Sequence, residues 1–183
     1  TSGTTSDGVT RVGTYTVSGI EAGARVEYSA NGSTGWTATA PATVGGLNAF
    51  HVRQIDEAGN ISATTSFSFT LDTTAPIAPT VTLLADTGVS STDLLTNSGL
   101  VKITNLAGDG ATVWEYSTNA GASWTSGGTT LTGTAQLNLG QLGDGATSVI
   151  VRQTDIAGNR GAVSLPLEFT LDTTGPSGHA LRF

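Results

Sequence analysis

Nine aspartates and five glutamates stand against one lysine and six arginines in this 183-residue chain, and the aspartates fall mostly where the chain turns. That distribution supports two chemistries. An aspartate closes a turn when its carboxylate accepts N–H groups a few residues ahead. Several carboxylates gathered together, with Thr hydroxyls and carbonyls beside them, suit a hard cation instead, because Ca²⁺ takes about 6–8 oxygen ligands. Neither an EF-hand loop nor a GGxGxD repeat is present to choose between them. The other reactive types are sparse. The histidines are His51, on the outward face of a strand pattern, and His179, in the C-terminal segment, and neither lies in a nucleophile, P-loop or metalloprotease motif.

Composition narrows the function further. The net charge of −7 and the single lysine, Lys102, leave no basic patch for nucleic acid. No apolar run approaches the length of a membrane span, so no membrane contact is expected of this segment. Cysteine is absent, which removes disulfides and thiol chemistry. The first half has no lysine, so a Lys–Asn crosslink is impossible there. At 6% aromatic residues the chain is poorly supplied for a sugar-cleaving cleft. Trp114, an extra residue in VWEYS relative to VEYS, is expected at a bulge near the surface. Packing on a neighbouring loop is the favoured reading, and an exposed ring that stacks on sugars keeps carbohydrate binding as an alternative. The sequons at Asn31 and Asn60 carry no weight in a chain so rich in Ser and Thr.

The elements that must position these residues come in two copies. Val52–Pro76 reads VRQIDEAGNISATTSFSFTLDTTAP, and Val151–Pro176 reads VRQTDIAGNRGAVSLPLEFTLDTTGP. Upstream, GARVEYSANGSTGW at Gly23–Trp36 matches GATVWEYSTNAGASW at Gly110–Trp124, and DGVT at Asp7 matches DLLT at Asp93. Ordered matches along the whole chain mark a tandem repeat. The second copy opens with a leading strand, PTVTLL at Pro79–Leu84, which the first copy lacks because it starts within the following loop. The absence of methionine, position 1 included, is expected of a segment cut from a longer chain.

Within a copy the pattern alternates every two residues, as half-buried strands do. Leu165, Leu167, Phe169 and Leu171 share one face, with Phe67, Phe69 and Leu71 as counterparts in the first copy. Phe50, Val52, Val149 and Val151 are expected to face the same cores, with Trp36 and Trp124 as large core or rim residues. Pro166 removes a ladder donor and places that stretch at a sheet edge. With 25 glycines, 33 threonines and six or seven short strands expected per copy, the chain is expected to be all-β: two tandem Greek-key β-sandwiches in an elongated arrangement. The expected boundaries are a truncated repeat over 1–72, a Pro-containing linker over 73–79, a second repeat over 80–172, and a linker or start of a further repeat over 173–183.

VRQTDIAGN, EFTLDTT-x-P, ADTGVSSTD and EYSTNAGASW resemble the bacterial Ig-like repeats of large secreted adhesins and biofilm-associated surface proteins. The resemblance implies an extracellular, non-enzymatic stalk segment that extends a cell-surface adhesin, monomeric, with neighbouring repeats of its own chain as partners. It also implies calcium at the poles where repeats meet. One candidate group is Asp72, Asp155 and Asp109, with Asp7 able to join; the other is Asp86, Asp93 and Asp172. The competing reading is that each aspartate merely closes its own turn, Asp56 and Asp155 in hairpins and Asp72 and Asp172 at strand ends. The first copy has Thr1 where the second has Asp86, so its own exit pole is one carboxylate short. Bound calcium would stiffen the Pro76–Pro79 linker, an expectation that scattering with and without a chelator tests.

Overall fold

The computed structural model describes residues 7–179, which form strands, turns and irregular segments with a single 3-10 turn at Gly140–Leu142. Thr1 and residues 180–183 lie outside them, and so does any comparison of Thr1 with Asp86. The strands are β1 (Val9–Thr10), β2 (Arg25–Ser29), β3 (Gly46–Ile55), β4 (Thr65–Leu71), β5 (Thr80–Leu83), β6 (Leu95–Thr96), β7 (Leu100–Thr104), β8 (Val113–Ser117), β9 (Thr125–Gly128), β10 (Ala135–Asn138), β11 (Gly145–Thr154) and β12 (Leu167–Leu171). The chain divides into two compact units. Unit 1 is Thr1–Thr74 with Ile156–Asn159, and unit 2 is Ala75–Asp155 with Arg160–Phe183.

Unit 2 is a sandwich of a three-stranded sheet, ordered β10-β7-β5, and a five-stranded sheet, ordered β6-β12-β11-β8-β9. The two-residue period builds its core. In β7, Val101 and Ile103 are fully buried while Lys102 between them is exposed. In β11, Val149, Val151 and Gln153 point inward, and Phe169 and Leu171 of β12 complete the layer. Leu106, Trp114 and Leu139 join the same cluster, with Val81 and Leu83 of β5 packed against it. Removing each such aliphatic side chain from water contributes about 1.5–3 kcal/mol. Leu165 departs from the expected alternation: it precedes β12 and is 87% exposed. Pro166 supplies the reason, since it has no N–H to give and the ladder starts one residue later.

Unit 1 has one sheet among the described residues, ordered β1-β4-β3-β2. These strands repeat β6, β12, β11 and β8 of unit 2, with equivalent registers: Phe50 pairs with Phe67 as Val149 pairs with Leu167. Backbone specials repeat too. Gly8 (φ +72°) and Leu94 (φ +59°) share one left-handed position, and Gly19 (φ +74°) and Asn105 (φ +61°) another. The counterparts of β7 and β10 form no ladder in unit 1, and β5 has no counterpart among its described residues. Among its described residues the buried apolar side chains are Phe50, Ile55, Phe69 and Ala157, while Phe67 remains 43% exposed.

Candidate functional site

Five of the aspartates lie around one recurring construction, a parallel pairing of a short early strand with the last strand of the unit. In unit 2, Thr170 N–H donates to Leu94 O (2.8 Å) and Asp172 N–H to Thr96 O (2.9 Å). In unit 1, Thr70 N–H donates to Gly8 O (2.8 Å) and Asp72 N–H to Thr10 O (2.9 Å). Asp93 and Asp172 therefore flank one closure, and Asp7 and Asp72 flank the other. Asp86 reaches the same place in unit 2, where its Oδ2 accepts from Leu94 N–H at 3.0 Å.

Each of these carboxylates also serves its own loop. Asp7 Oδ1 accepts from Val9 N–H, Asp93 Oδ1 from Leu95 N–H, Asp72 Oδ1 from Thr74 N–H and Asp172 Oδ1 from Thr174 N–H, all two residues ahead. Asp56 closes its hairpin on the backbone and side chain of Asn60, both at 2.7 Å, and these bonds hold its carboxyl below the usual range. Asp155 stands half-buried where β11 enters the equivalent hairpin. In the GDG turn burial would raise the pKa of Asp109, but bonds from Thr112 and Ala111 N–H and the Thr112 hydroxyl outweigh it and leave it lowered. Among the described residues, no three acidic or histidine side chains stand close enough to hold a metal ion as placed. Asp86 Oδ1 is the exception to this local satisfaction, being buried with no hydrogen-bond partner.

Asp144 was not among the expected site residues. Its Oδ1 accepts from Thr173 N–H (2.8 Å) and the Thr173 hydroxyl (2.6 Å), and its Oδ2 accepts from the Thr174 hydroxyl. Those two hydroxyls, then the Thr173 N–H, bring its pKa down to about 2. The Asp-Gly dipeptide at 144–145 signals a turn. What it grips lies 29 and 30 residues later, and no spacing rule points there. The register makes Gly45 its counterpart in unit 1, so DTT is clasped in only one copy.

The aromatic residues sort into two environments. Trp114 is 4% exposed, which corrects the expectation of an exposed ring available to stack on a sugar. The bulge is present between Trp114 and Glu115, but it turns the ring into the core, where Gly127 makes room. A Cβ at Gly127 would lie 2.3 Å from the indole. Trp36 and Trp124 are half-buried rim residues, each beneath an arginine. Arg53 stacks 4.0 Å above Trp36 and pairs with Glu27, and Arg152 stacks 3.8 Å above Trp124 and pairs with Glu115. The Arg53 hydrogen bond holds the Glu27 carboxyl below its usual range. His51 Nδ1 lies 3.1 Å from Ser66 Oγ, its direct cross-strand partner in the β3–β4 register.

A family model described as bacterial Ig-like domain matches residues 74–173, more than half of the 183 residues. No curated protein matches. Among solved structures, similarity extends to a biofilm-associated protein BSP domain at 12% identity and TM-score 0.35, covering 84% of this chain and 25% of the other. It extends also to a tetra-tandem repeat from the extending region of a large adhesion protein, at 19% identity and TM-score 0.38, covering 82% of this chain and 42% of the other. The chain thus spans a quarter and about two fifths of those lengths.

Proposed function

Because the chain belongs to the bacterial Ig-like domain family, we propose that it is a structural extender segment of a bacterial cell-surface adhesin. Its work is to carry tension across the extracellular space in support of adhesion or biofilm formation, not to catalyse a reaction. The observation that carries this reading is the parallel pairing of β6 with β12 in unit 2, repeated by β1 with β4 in unit 1. In unit 2 tension meets the leading strand β5 first, then reaches β6 from its N-terminal side and leaves β12 from its C-terminal side. In a parallel pair those pulls run in opposite directions along the strand axes. The interstrand bonds lie across the strands, so the pull shears them together instead of opening them in turn. An antiparallel pair of end strands joined by a hairpin would unzip one bond at a time.

Forced unfolding of the 183-residue chain, held by its two ends, tests the proposal. Thr170→Pro with Asp172→Pro removes the N–H donors to Leu94 and Thr96. The unit 2 unfolding force is expected to fall well below wild type, while Thr125→Pro on the edge strand β9 leaves it nearly unchanged. Equal forces in all three chains would refute an extender held by that closure.

The finer part of the proposal is that calcium stiffens the segment. Its support is the buried, unpartnered Asp86 Oδ1, an expensive state for a carboxylate oxygen, together with a donor set made of hard oxygens. Asp86, Asp93 and Asp172 would hold the ion in unit 2. As placed they form no metal-sized cluster, so binding would have to draw them together and supply the charge that offsets their repulsion. At a hundredfold excess over its dissociation constant, ligand binding raises stability by about 2.7 kcal/mol. The unit 2 melting transition should therefore rise with added calcium, return with chelator, and respond less in Asp86→Asn. No response to calcium would remove this part and leave the mechanical proposal standing.

A further inference from the structure

The β11–β12 ladder ends at the pair Gly145 and Leu171. Gly143 (φ +83°) and Gly145 (φ +131°) turn the backbone before β11 away from the course of β12, so no backbone ladder continues past Leu171. A side chain takes over. Asp144 stands between the two glycines, and its carboxylate receives the Thr173 N–H and the Thr173 and Thr174 hydroxyls. Thr174 N–H goes to Asp172 Oδ1 at 3.1 Å, so the N–H and hydroxyl of both threonines are committed to carboxylates. Few rotors are lost in making this clasp. Aspartate is short, and threonine is already stiff at χ1 because its Cβ is branched. Bonds to an ionised carboxylate are also stronger than bonds between neutral groups. Three of them oppose the entropy lost in ordering the exposed residues.

Unit 1 carries the same frame without the clasp. Its ladder ends at the equivalent pair, Gly46 and Leu71, and its DTT makes the same local turn, Thr74 N–H donating to Asp72 Oδ1 at 2.9 Å. Asp72 O accepts from Asn159 Nδ2 at 2.8 Å, one residue before the threonines. The residue in register with Asp144 is Gly45, so no carboxylate from that position reaches Thr73 or Thr74. A Cβ added at Gly45 meets no atom within 4 Å, and Gly45 is not among the glycines held at positive φ. The backbone there accepts a side chain without strain.

We propose that the residue just before the long strand sets the course of the segment leaving each unit. Aspartate at 144 clasps Thr173 and Thr174 and fixes them on unit 2, and glycine at 45 leaves Thr73 and Thr74 without that hold. Asp144 is thus a positioning residue for the segment after β12, and one substitution moves the device in either direction. The proposal adds to the mechanical reading without resting on it.

The test is amide exchange and threonine side-chain couplings in the full 183-residue chain, with chelator present so that no bound cation orders the same stretch. In wild type, Thr173 N–H is expected to exchange about tenfold more slowly than in Asp144→Ala. Thr173 and Thr174 should each hold one χ1 rotamer in wild type and average several in that variant. Asp144→Asn, which keeps one oxygen and loses the charge, should fall between. Gly45→Asp should slow Thr73 exchange several-fold. Thr170 N–H, bonded to Leu94 O, shows in every variant whether the sheet is intact. Equal Thr173 exchange in wild type and Asp144→Ala, or unchanged Thr73 exchange in Gly45→Asp, would overturn the proposal. Either result leaves the β6–β12 closure to be judged by force.

Discussion

Units 1 and 2 share four strands, equivalent registers and a parallel closure, yet among the described residues only unit 2 closes a second sheet over its core. β5 is the strand of unit 2 that has no counterpart among the described residues of unit 1. In unit 2, β7 is paired on both sides, by β5 and β10, and its inward Val101 and Ile103 are fully buried. In unit 1, the counterparts Tyr15 and Val17 approach the sheet without a ladder, and Ile20, matching the buried Leu106, is 45% exposed. Burial raises the pKa of the Tyr15 hydroxyl, with a smaller contribution from Tyr28, so even this incomplete cover withdraws it from water. One sheet is specified by motifs inside it; the other depends on a strand that brings its own apolar residues and acceptors.

That contrast is breakable by matched substitutions. Ile103→Ala should cost unit 2 about 2–5 kcal/mol, a core truncation at a fully buried site. The matched Val17→Ala should cost unit 1 about 1 kcal/mol or less, because its surroundings are already open to water. Calorimetry resolving two transitions checks both, and equal losses would mean that unit 1 is as closed as unit 2. Gln153→Ala comes next at about 1–3 kcal/mol, since it removes a fully buried side chain that bonds three part-buried backbone groups. Gln54→Ala should cost about 1 kcal/mol, as water reaches the groups it leaves.

Asp144 gives the comparison a pH dependence. Its folded pKa, about 2, lies below the ordinary carboxylate value. The stability it contributes is present above about pH 4 and is lost as pH falls toward 2. Unit 1, with Gly45 at that position, has no such contribution. Melting between pH 5 and pH 2.5 should therefore show an acid loss in unit 2 that Asp144→Asn reduces, leaving the part due to Asp109, while unit 1 shows only the loss due to Asp56 and Glu27. Smallest is the effect at the shared left-handed position before β1 and β6. Leu94 holds a φ of +59° where Gly8 holds +72°. A non-glycine residue pays about 1–2 kcal/mol there, partly offset by the greater freedom glycine loses on folding. Leu94→Gly should raise unit 2 stability by about 0.5 kcal/mol, and Gly8→Leu should lower that of unit 1.

Much of the frame was legible in the sequence because its determinants are local. VRQ-x-D-x-AGN and FTLDTT place a hairpin and two paired strands through alternation and turn chemistry alone, and β3–β4 and β11–β12 follow them. Pro166 pointed to a sheet edge, but it lies just before β12, which runs between β6 and β11, and the alternation ran one step too far in including Leu165. Trp114 shows the limit of local reading: an inserted residue does make a bulge, but which way the bulge turns the ring depends on Gly127 in the neighbouring strand. The aspartates were legible as turn residues, and the Asn60, Thr112 and Thr174 bonds express that chemistry. The clasp by Asp144 was illegible because its partners lie in the last linker, outside any local motif.

The mechanical account is tested most directly by pulling the same unit in two directions. Held through its ends, unit 2 loads β6 against β12 in shear; held across the β11–β12 hairpin, through cysteines placed at Gly145 and Leu171, it loads antiparallel neighbours so that their bonds open in turn. The account predicts an unfolding force several-fold higher through the ends than across the hairpin, at the same loading rate. Equal forces in the two directions, or a lower force through the ends, would contradict it.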